Sequence, residues 1–195
     1  MRKSTVLPAE EPQLDQELAR LEKLRSFAVL DSLPEQGYED VTALASFICG
    51  TPISLISFVD EQRQWFKSEV GLGARETPRT QSFCANTIST RETLVVEDAR
   101  TDPRFRDNPL VLGNPNIRFY AGAPIVQDGY VLGTVCVIDT VPRTLSLKQL
   151  AALESLARQV SMLLDQRKAL MDAQHEAKRL ADMKEDLFQI RSAAL

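Results

Sequence analysis

Only one histidine, His175, occurs in this chain of 195 residues, and it lies in a polar stretch with helical character. Neither a multi-histidine zinc site nor a histidine acid–base pair can be built from one imidazole. The next residue is Glu176, but the residues that follow do not resemble the phosphorylation box of a kinase, so we expect a solvated helix position. The sequence therefore indicates no metal site, no catalytic residue and no enzyme.

Cysteine is also scarce. Cys49, Cys84 and Cys136 are an odd number, are widely separated and form no CxxC pair. This pattern is typical of reduced thiols in a cytosolic protein rather than of a disulfide framework. We therefore expect a cytoplasmic location, with Cys49 and Cys136 as separate core positions.

Long apolar runs and a basic surface are missing as well. The longest apolar run, residues 131–138, is interrupted by Gly133 and Thr134 and is far shorter than the roughly 20 residues that cross a bilayer. Prolines and acids stand near the start of the chain, where a signal peptide needs an apolar stretch, and we expect residues 1–12 to be flexible. The net charge of −4 provides no field that gathers phosphates. The sequence predicts no membrane span and no nucleic-acid partner.

The composition is that of a globular protein, with 44% hydrophobic and 26% charged residues. Leucines at three- and four-residue steps predict an amphipathic helix over residues 14–28. Ser32 and Glu35 form a potential capping box for a second helix, which Gly50 ends. A second box, Ser146 with Gln149, opens a long helix whose pattern continues without Gly or Pro to residue 195.

Runs of β-branched and aromatic residues predict strands between these helices. The firmest pair flanks Asp128-Gly129, a dipeptide suited to a type I′ turn because both positions need positive φ. A polar turn at Thr77-Pro78 precedes a short helix over residues 81–90, and residues 100–116 form a long connection with one helical turn, a candidate lid. The predicted strands are residues 53–59, 65–72, 94–99, 117–126 and 130–138.

This order of elements predicts an α+β sandwich with the terminal helices on one face of an antiparallel sheet. The short helix and the long connection would cover the other face and leave room there for a ligand pocket.

Several segments, in this order, resemble the GAF domains of bacterial sensor histidine kinases and diguanylate cyclases. They include ETPRTQSFCANTI, LVVEDARTDPRFRDNPLV, IRFYAGAPI and DGYVLGTVCVIDTVPRTLS. The resemblance implies a GAF domain over residues 13–168, with a central antiparallel sheet of about six strands, terminal helices that often build a parallel dimer, and a ligand pocket. Pocket occupancy would then bias the packing of the helices.

Two departures from GAF ligand signatures bear on the cofactor, which stays unknown. Bilin-binding GAF domains attach the chromophore through a cysteine that is typically followed by histidine, whereas Cys84 is followed by Ala85, so a covalent bilin is not expected. Cyclic-nucleotide GAF domains share an Asn-Lys, Phe and Asp-Glu signature, which cannot be placed in this sequence. Only Phe58, Asp60 and Glu61 resemble part of it, so the sequence does not support cyclic-nucleotide binding.

Candidate ligand contacts follow from strand alternation and from the short helix. Trp65 and Phe66 are consecutive, so one should face the helices and the other the pocket. Arg118 stands in an apolar segment, where it holds an anionic ligand or pairs with Asp98 or Asp107. Cys84 lies in the first turn of a helix, where it is reactive or is a small packing residue. The predicted ligand-binding residues are Phe58, Trp65, Phe66, Phe83, Cys84, Ile88, Asp98, Phe105, Arg118 and Tyr120.

The helical arms are the candidate dimer interface. No other segment of the chain is left to cover the apolar stripe beyond Arg167, which favours a dimeric coiled coil over residues 169–195, with a solvated single helix as the alternative. The predicted contacts are Leu18, Leu21, Leu153, Val160, Leu164, Leu170, Ala177 and Leu180.

Three functions compete. The first is a sensory module that binds a small molecule and signals through dimeric terminal helices to an output domain such as a kinase or cyclase; this domain would follow residue 195, because the chain stops within a helical pattern. The second is a scaffold with a vestigial pocket. The third is a thiol enzyme, similar to the GAF proteins that reduce free methionine sulfoxide, for which Cys84 would need a resolving cysteine.

Overall fold

The structure, a computed structural model, describes residues 11–193, so most of the segment expected to be flexible, residues 1–12, lies outside it. The helices are α1 (Glu11–Ser26), α2 (Gln36–Cys49), α3 (Cys84–Thr90), α4 (Pro109–Leu112) and α5 (Leu147–Ala193), with a short 3-10 helix at Arg79–Gln81. The strands are β1 (Ile53–Val59), β2 (Arg63–Val70), β3 (Glu76–Pro78), β4 (Leu94–Val96), β5 (Phe119–Gln127) and β6 (Tyr130–Asp139).

The six strands form one antiparallel sheet in the order β3-β2-β1-β6-β5-β4. The predicted α+β class and six-stranded sheet are confirmed. The polar turn predicted at Thr77-Pro78 is wrong, because these residues belong to β3, which pairs with the start of β2. Strand β3 has only three residues and no alternation of apolar and polar side chains, so its sequence does not predict a strand.

The hairpin between β5 and β6 has the predicted turn, since Asp128 and Gly129 have φ of 47° and 81°. Gly133 in β6 is required for a different reason, the close approach of the neighbouring strand β1. A Cβ atom there would stand 1.9 Å from the Ser57 backbone oxygen and 2.9 Å from the Phe58 Cα. Strands β1 and β6, the centre of the sheet, can therefore pair only where residue 133 has no side chain.

One face of the sheet packs against the helices. Leu24, Val41, Leu153 and Leu164 contribute to a buried core with the side chains of β1, β5 and β6 that point to this face. Phe58 and Trp65 belong to this core and are at most 5% exposed, so their predicted place in the ligand pocket is wrong. Burial of such aromatic side chains is a major source of stability, at roughly 25 cal/mol per Å².

Two predicted helix boundaries are confirmed. Gly50 ends α2 in the left-handed conformation with φ of 63°, and Ser146 exchanges hydrogen bonds with Gln149 at the start of α5. The capping box of Ser32 with Glu35 is wrong. Ser32 Oγ instead donates to the Val29 carbonyl, while Glu35 makes ion pairs with distant residues.

The partners of Glu35 are Lys67 and Arg167. The Lys67 side chain is fully buried, with its Nζ 2.6 Å from Glu35 Oε1, and burial lowers its pKa although the Glu35 carboxylate opposes this shift. Arg167 on α5 pairs with the same carboxylate and donates to the backbone oxygens of Phe27 and Ala28 at 3.0 and 2.8 Å. This charge network ties α5 to the α1–α2 connection at the point where α5 leaves the domain.

The structure changes the predicted role of half of the dimer contacts. Leu21, Leu153, Val160 and Leu164 are at most 4% exposed because they pack within the chain's own core, so their assignment to a dimer interface is wrong. The remaining four are exposed and stay predictions: Leu18, Leu170, Ala177 and Leu180. Among residues 11–193, no helix is both long and apolar enough to cross a membrane.

The Glu17 carboxylate attaches α1 to the rest of the domain through an ion pair with Arg79. Because this carboxylate must be ionised to form the pair, we expect the fold to lose stability in acid. Burial raises the pKa of Glu17, but hydrogen bonds from Arg20 and Arg79 outweigh it and lower the pKa from 4.5 to about 2. A depressed carboxyl pKa stabilises the fold above pH 4.5, and this contribution disappears as the pH falls from 4.5 towards 2. Glu17→Gln should therefore remove about 2 kcal/mol at pH 6 and almost nothing near pH 2.

Urea unfolding followed by circular dichroism at both pH values measures this difference. Glu22→Gln, an exposed neighbour on α1, is the matched control and should leave the stability unchanged at both. A Glu17→Gln penalty of equal size at pH 2 and pH 6 would contradict the assignment.

Candidate functional site

The face of the sheet opposite the helices is covered by α3, α4 and the long connection, as predicted. A second buried core lies here, and it includes Phe66, Phe83, Phe105 and Tyr120. The rings of Phe83 and Phe105 stack with centroids 4.1 Å apart, and Asn108 caps α4 by accepting from the Leu110 N–H at 2.9 Å. The stacked rings hold the connection against the start of α3, so the connection covers this face of the sheet.

A small cavity remains beneath this cover, with a volume of about 30 Å³. Its lining is mostly apolar, and it also holds the polar side chains of Gln64, Thr77, Cys84 and Tyr120. Thr77 Oγ1 is buried and makes no hydrogen bond within the described part of the chain. A volume of this size holds about one water molecule, whereas pockets for drug-sized ligands measure about 300–1,000 Å³.

Cys84 is at the edge of this cavity, in the first turn of α3, and is 1% exposed. Its Sγ accepts hydrogen bonds from Thr134 Oγ1 at 3.0 Å and from the Tyr120 hydroxyl at 3.2 Å. The Sγ of Cys136 lies 3.9 Å away. Two strands of the sheet therefore present two hydroxyl donors and a second thiol to one sulfur atom. We call Cys84, Tyr120, Thr134 and Cys136 the thiol cluster.

Local sequence explains how the cluster fits inside the sheet. Thr134 and Cys136 are two residues apart in β6, so their side chains point to the same face. Cys136 pairs with Gly122 of β5, and a Cβ at Gly122 would stand 2.1 Å from the Tyr120 hydroxyl oxygen. The absence of a side chain at residue 122 therefore lets the Tyr120 hydroxyl lie flat on the strand and reach Cys84.

The hydrogen bonds change the acidity of the thiols. Burial raises the pKa of Cys84, but hydrogen bonds from Cys136, Thr134, Tyr120 and Ser57 outweigh it, and the net pKa lies below its usual range. The hydrogen bond to Cys84 and burial raise the pKa of Cys136. Of the two thiols, Cys84 is therefore the more acidic.

Comparisons with known proteins agree with this geometry. The GAF domain family matches residues 16–164. The chain belongs to the GAF domain family. It is 45% identical over 151 residues to the cyclic di-GMP phosphodiesterase PA2567 of Pseudomonas aeruginosa, a match that covers 76% of this chain and 26% of the relative. The chain thus spans about a quarter of the length of that protein.

Solved structures confirm the GAF fold at low sequence identity. The GAF domain of an Acinetobacter phosphoenolpyruvate-protein phosphotransferase has a TM-score of 0.59 and 19% identity, over 80% of this chain and 95% of that one. The free methionine-R-sulfoxide reductase of Neisseria meningitidis, solved with its substrate, has a TM-score of 0.58 and 15% identity, over 87% and 99% of the two chains.

Within this GAF domain, the predicted site residues divide into three groups, one of which is the pair in the helical core described above. Phe66, Phe83, Cys84 and Tyr120 line the cavity, and Phe105 supports it through Phe83. As predicted, Trp65 and Phe66 point to opposite faces of the sheet.

Three predicted contacts lie elsewhere in the GAF domain. Ile88 borders an open groove of about 340 Å³ between α1 and the end of α3. Asp98 stabilises its own turn by accepting from the Arg100 N–H at 3.1 Å. Arg118 makes neither predicted ion pair, since its Nη1 donates to the backbone oxygens of Val111 and Ile117 at 2.8 and 3.0 Å. Its charge therefore holds the long connection in place.

Four residues of the site were not among the predicted contacts: Gln64, Thr77, Thr134 and Cys136. Cys136 is a core position, as expected, but the expectation that it is separate from Cys84 is wrong, because the two sulfur atoms are neighbours. The alternation of Thr134 and Cys136 in a strand was a usable signal that they share a face. Their contact with α3 depends on how the helix docks, which strand spacing does not encode. Cys49 is buried in the helical core instead.

Proposed function

We propose that this GAF domain is a regulatory sensory module that responds to a small species at the α3 face and passes the change to an output domain through α5. In this proposal two copies associate through the part of α5 that extends beyond the domain. A cytoplasmic location fits the three free cysteines, Cys49, Cys84 and Cys136.

The observation that carries the proposal is the continuity of α5. The helix is packed on α2, β5 and β6 in its first part, where Leu153, Ala157, Val160 and Leu164 are buried. It then continues as one helix to Ala193, about 40 Å beyond Arg167 at 1.5 Å per residue. Leu170 and Leu180 on this extension are 60% and 47% exposed. A long helix with an exposed apolar stripe gains stability by pairing with a second helix.

The charge network supplies a coupling point between the two parts of α5. Arg167 follows the last buried turn and is bound to the α1–α2 connection and to Glu35, which Lys67 holds from β2. A shift of the sheet at β2 would therefore change the contacts of α5 where it leaves the domain. Such a change would favour one of two arrangements of α5 relative to the domain.

The output domain in this proposal turns over a cyclic dinucleotide. The relative that is 45% identical to this chain is named a cyclic di-GMP phosphodiesterase, and the match occupies only 26% of its length. The rest of such a protein provides room for the activity in its name. We propose the same arrangement here, with the GAF domain in the regulatory role.

The cavity limits what the module senses. At about 30 Å³ it is too small for a bilin, a cyclic nucleotide or free methionine sulfoxide, each of which is many times larger. The sulfoxide reductase alternative gains a partner thiol for Cys84 from the structure, but no space for its substrate. The remaining alternative is a scaffold that binds no ligand, and an experiment has to distinguish it from a sensory module.

Replacing Leu180 with glutamate tests the dimer. Two charges that face each other in a helical seam are desolvated and repel, so we expect the dissociation constant to rise about 100-fold, equivalent to about 2.7 kcal/mol. Sedimentation equilibrium over a range of protein concentrations measures the change. Leu112→Glu, which introduces the same charge at a 70% exposed leucine of α4, should leave the dimer unchanged.

A wild-type chain that stays monomeric at all concentrations would contradict dimerisation through α5. Equal weakening by both variants would place the interface elsewhere. Thermal unfolding of the dimer with a panel of small solutes then separates sensing from scaffolding, because only a sensed species raises the melting temperature.

A further inference from the structure

The thiol cluster has features that packing alone does not require. Two cysteines from elements 52 residues apart in sequence place their sulfur atoms 3.9 Å apart. Both are free and buried. Thr134 and Tyr120 aim their hydroxyls at one of the two sulfurs, Cys84 Sγ, and hydrogen bonds of this kind stabilise a thiolate. The same hydroxyls also act on the Cys136 sulfur, but the hydrogen bond to Cys84 and burial outweigh them and raise the pKa of Cys136.

The cavity beside Cys84 favours a small reaction partner. It holds about 30 Å³ and includes a buried hydroxyl, Thr77 Oγ1, that makes no hydrogen bond within residues 11–193. A guest of this size with hydrogen-bonding groups is a water molecule or something nearly as small. Hydrogen peroxide fits this description, whereas hydroperoxides with bulky alkyl groups do not.

We propose that Cys84 and Cys136 form a redox site that reacts with hydrogen peroxide and closes to an intramolecular disulfide. The Cys84 thiolate attacks one peroxide oxygen, so an S–O bond forms, the O–O bond breaks, and the leaving hydroxide takes up the proton that Cys84 had lost. The Cys136 sulfur then attacks the sulfur of the Cys84 sulfenic acid. An S–S bond forms, the S–O bond breaks, and hydroxide leaves with the Cys136 proton as a second water.

The reaction is balanced: two thiols and one hydrogen peroxide give one disulfide and two waters, and the peroxide accepts the two electrons. It needs no second copy of the chain and no output domain. The proposed function can therefore fail in its dimer test while this reaction proceeds, and the reverse also holds.

Peptide mass spectrometry tests the proposal on the whole chain. Wild-type protein is exposed to a small excess of hydrogen peroxide, sampled over time, denatured and alkylated. We expect a Cys84–Cys136 cross-linked peptide that dithiothreitol cleaves, formed at least tenfold faster than any oxidation of Cys49. Cys49 is the internal control, because it is buried without such donors and burial raises its pKa. Equal oxidation of Cys84 and Cys49 would overturn the proposal.

Variants separate the two steps. Cys136→Ser should stop at the sulfenic acid, which dimedone traps on Cys84, whereas Cys84→Ser should leave Cys136 unoxidised. Thr134→Val keeps the side-chain shape but removes one hydroxyl donor, so peroxide should react about tenfold more slowly in a chain whose circular dichroism is unchanged. This variant keeps the proposal testable if the cysteine replacements do not fold. An unchanged rate in Thr134→Val would overturn the role of the hydroxyl donors.

The size of the oxidant provides the last test. Tert-butyl hydroperoxide has a similar O–O bond but cannot enter a cavity of about 30 Å³, so it should oxidise Cys84 at least tenfold more slowly than hydrogen peroxide does. Equal rates with both oxidants would mean that Cys84 reacts only after the fold opens, which contradicts a built site.

Discussion

Replacing Leu164 with alanine is expected to lower the free energy of unfolding by about 3 kcal/mol, because the substitution leaves a cavity in the core between α5 and the sheet. Leu164 is fully buried and belongs to the core that also holds Phe58 and Trp65. The surrounding side chains come from several elements, so they can fill the gap only in part. Urea unfolding with a fluorescence readout from Trp65 measures the loss.

Leu170→Ala is the matched control, with the same substitution on the same helix six residues further on. Leu170 is 60% exposed, so its removal should change the unfolding of the monomeric domain by less than about 0.5 kcal/mol. Its effect should instead appear as a weaker dimer at low protein concentration. If the two variants lost equal stability, and both losses depended on concentration, Leu164 would belong to the interface after all.

Replacing Gly133 with alanine should cost about 4 kcal/mol, the largest effect of any single added methyl group that we expect in this chain. The new Cβ would stand 1.9 Å from the Ser57 oxygen and 2.9 Å from the Phe58 Cα. Both are backbone atoms of the neighbouring strand, so no side chain can rotate to make space. The central pair, β1 with β6, would have to separate, and the melting temperature should fall far below that of the wild type.

Gly50→Ala separates steric conflict from backbone strain. Gly50 has φ of 63°, yet a Cβ there would meet no atom within 4 Å, so this substitution should cost only about 1 kcal/mol. Calorimetry of the two variants checks the difference. If both variants lost the same free energy of unfolding, β1 and β6 could move apart without a loss of stability, which would contradict the close approach described above.

The local elements were the most predictable part of this fold. The Asp128-Gly129 turn, the Gly50 helix end and the Ser146–Gln149 box depend on contacts within a few residues, and all three form as the sequence indicates. The Ser32–Glu35 box failed because Lys67 and Arg167 compete for the same carboxylate. Those competitors come from β2 and α5, and a local pattern contains no information about them.

The candidate site was less predictable than the fold. Alternation placed Trp65 and Phe66 on opposite faces without deciding which one faces the pocket, and the structure shows that it is Phe66. Phe58 was expected at the pocket but lies in the helical core, and Cys136 was not among the predicted contacts. Arg118 was expected to hold an anionic ligand or to form an ion pair. Its Nη1 donates to two backbone oxygens. The hydrogen bond from Arg100 is the main cause that lowers the pKa of Asp98, and the charge of Arg118 adds to it only at longer range. The volume of the cavity depends on how Phe83, Phe105 and the long connection pack together, so no spacing rule gives it.

We propose that two copies of this GAF domain join through the extension of α5, side by side and in the same direction. Spin labels at Ala169→Cys and, separately, at Asp182→Cys, both exposed on α5, measure it by pulsed electron paramagnetic resonance of the dimer. Paired helix axes lie 8–10 Å apart, so both positions should give one narrow distribution below about 35 Å. No dipolar coupling, or a short distance at only one of the two positions, would contradict the parallel dimer.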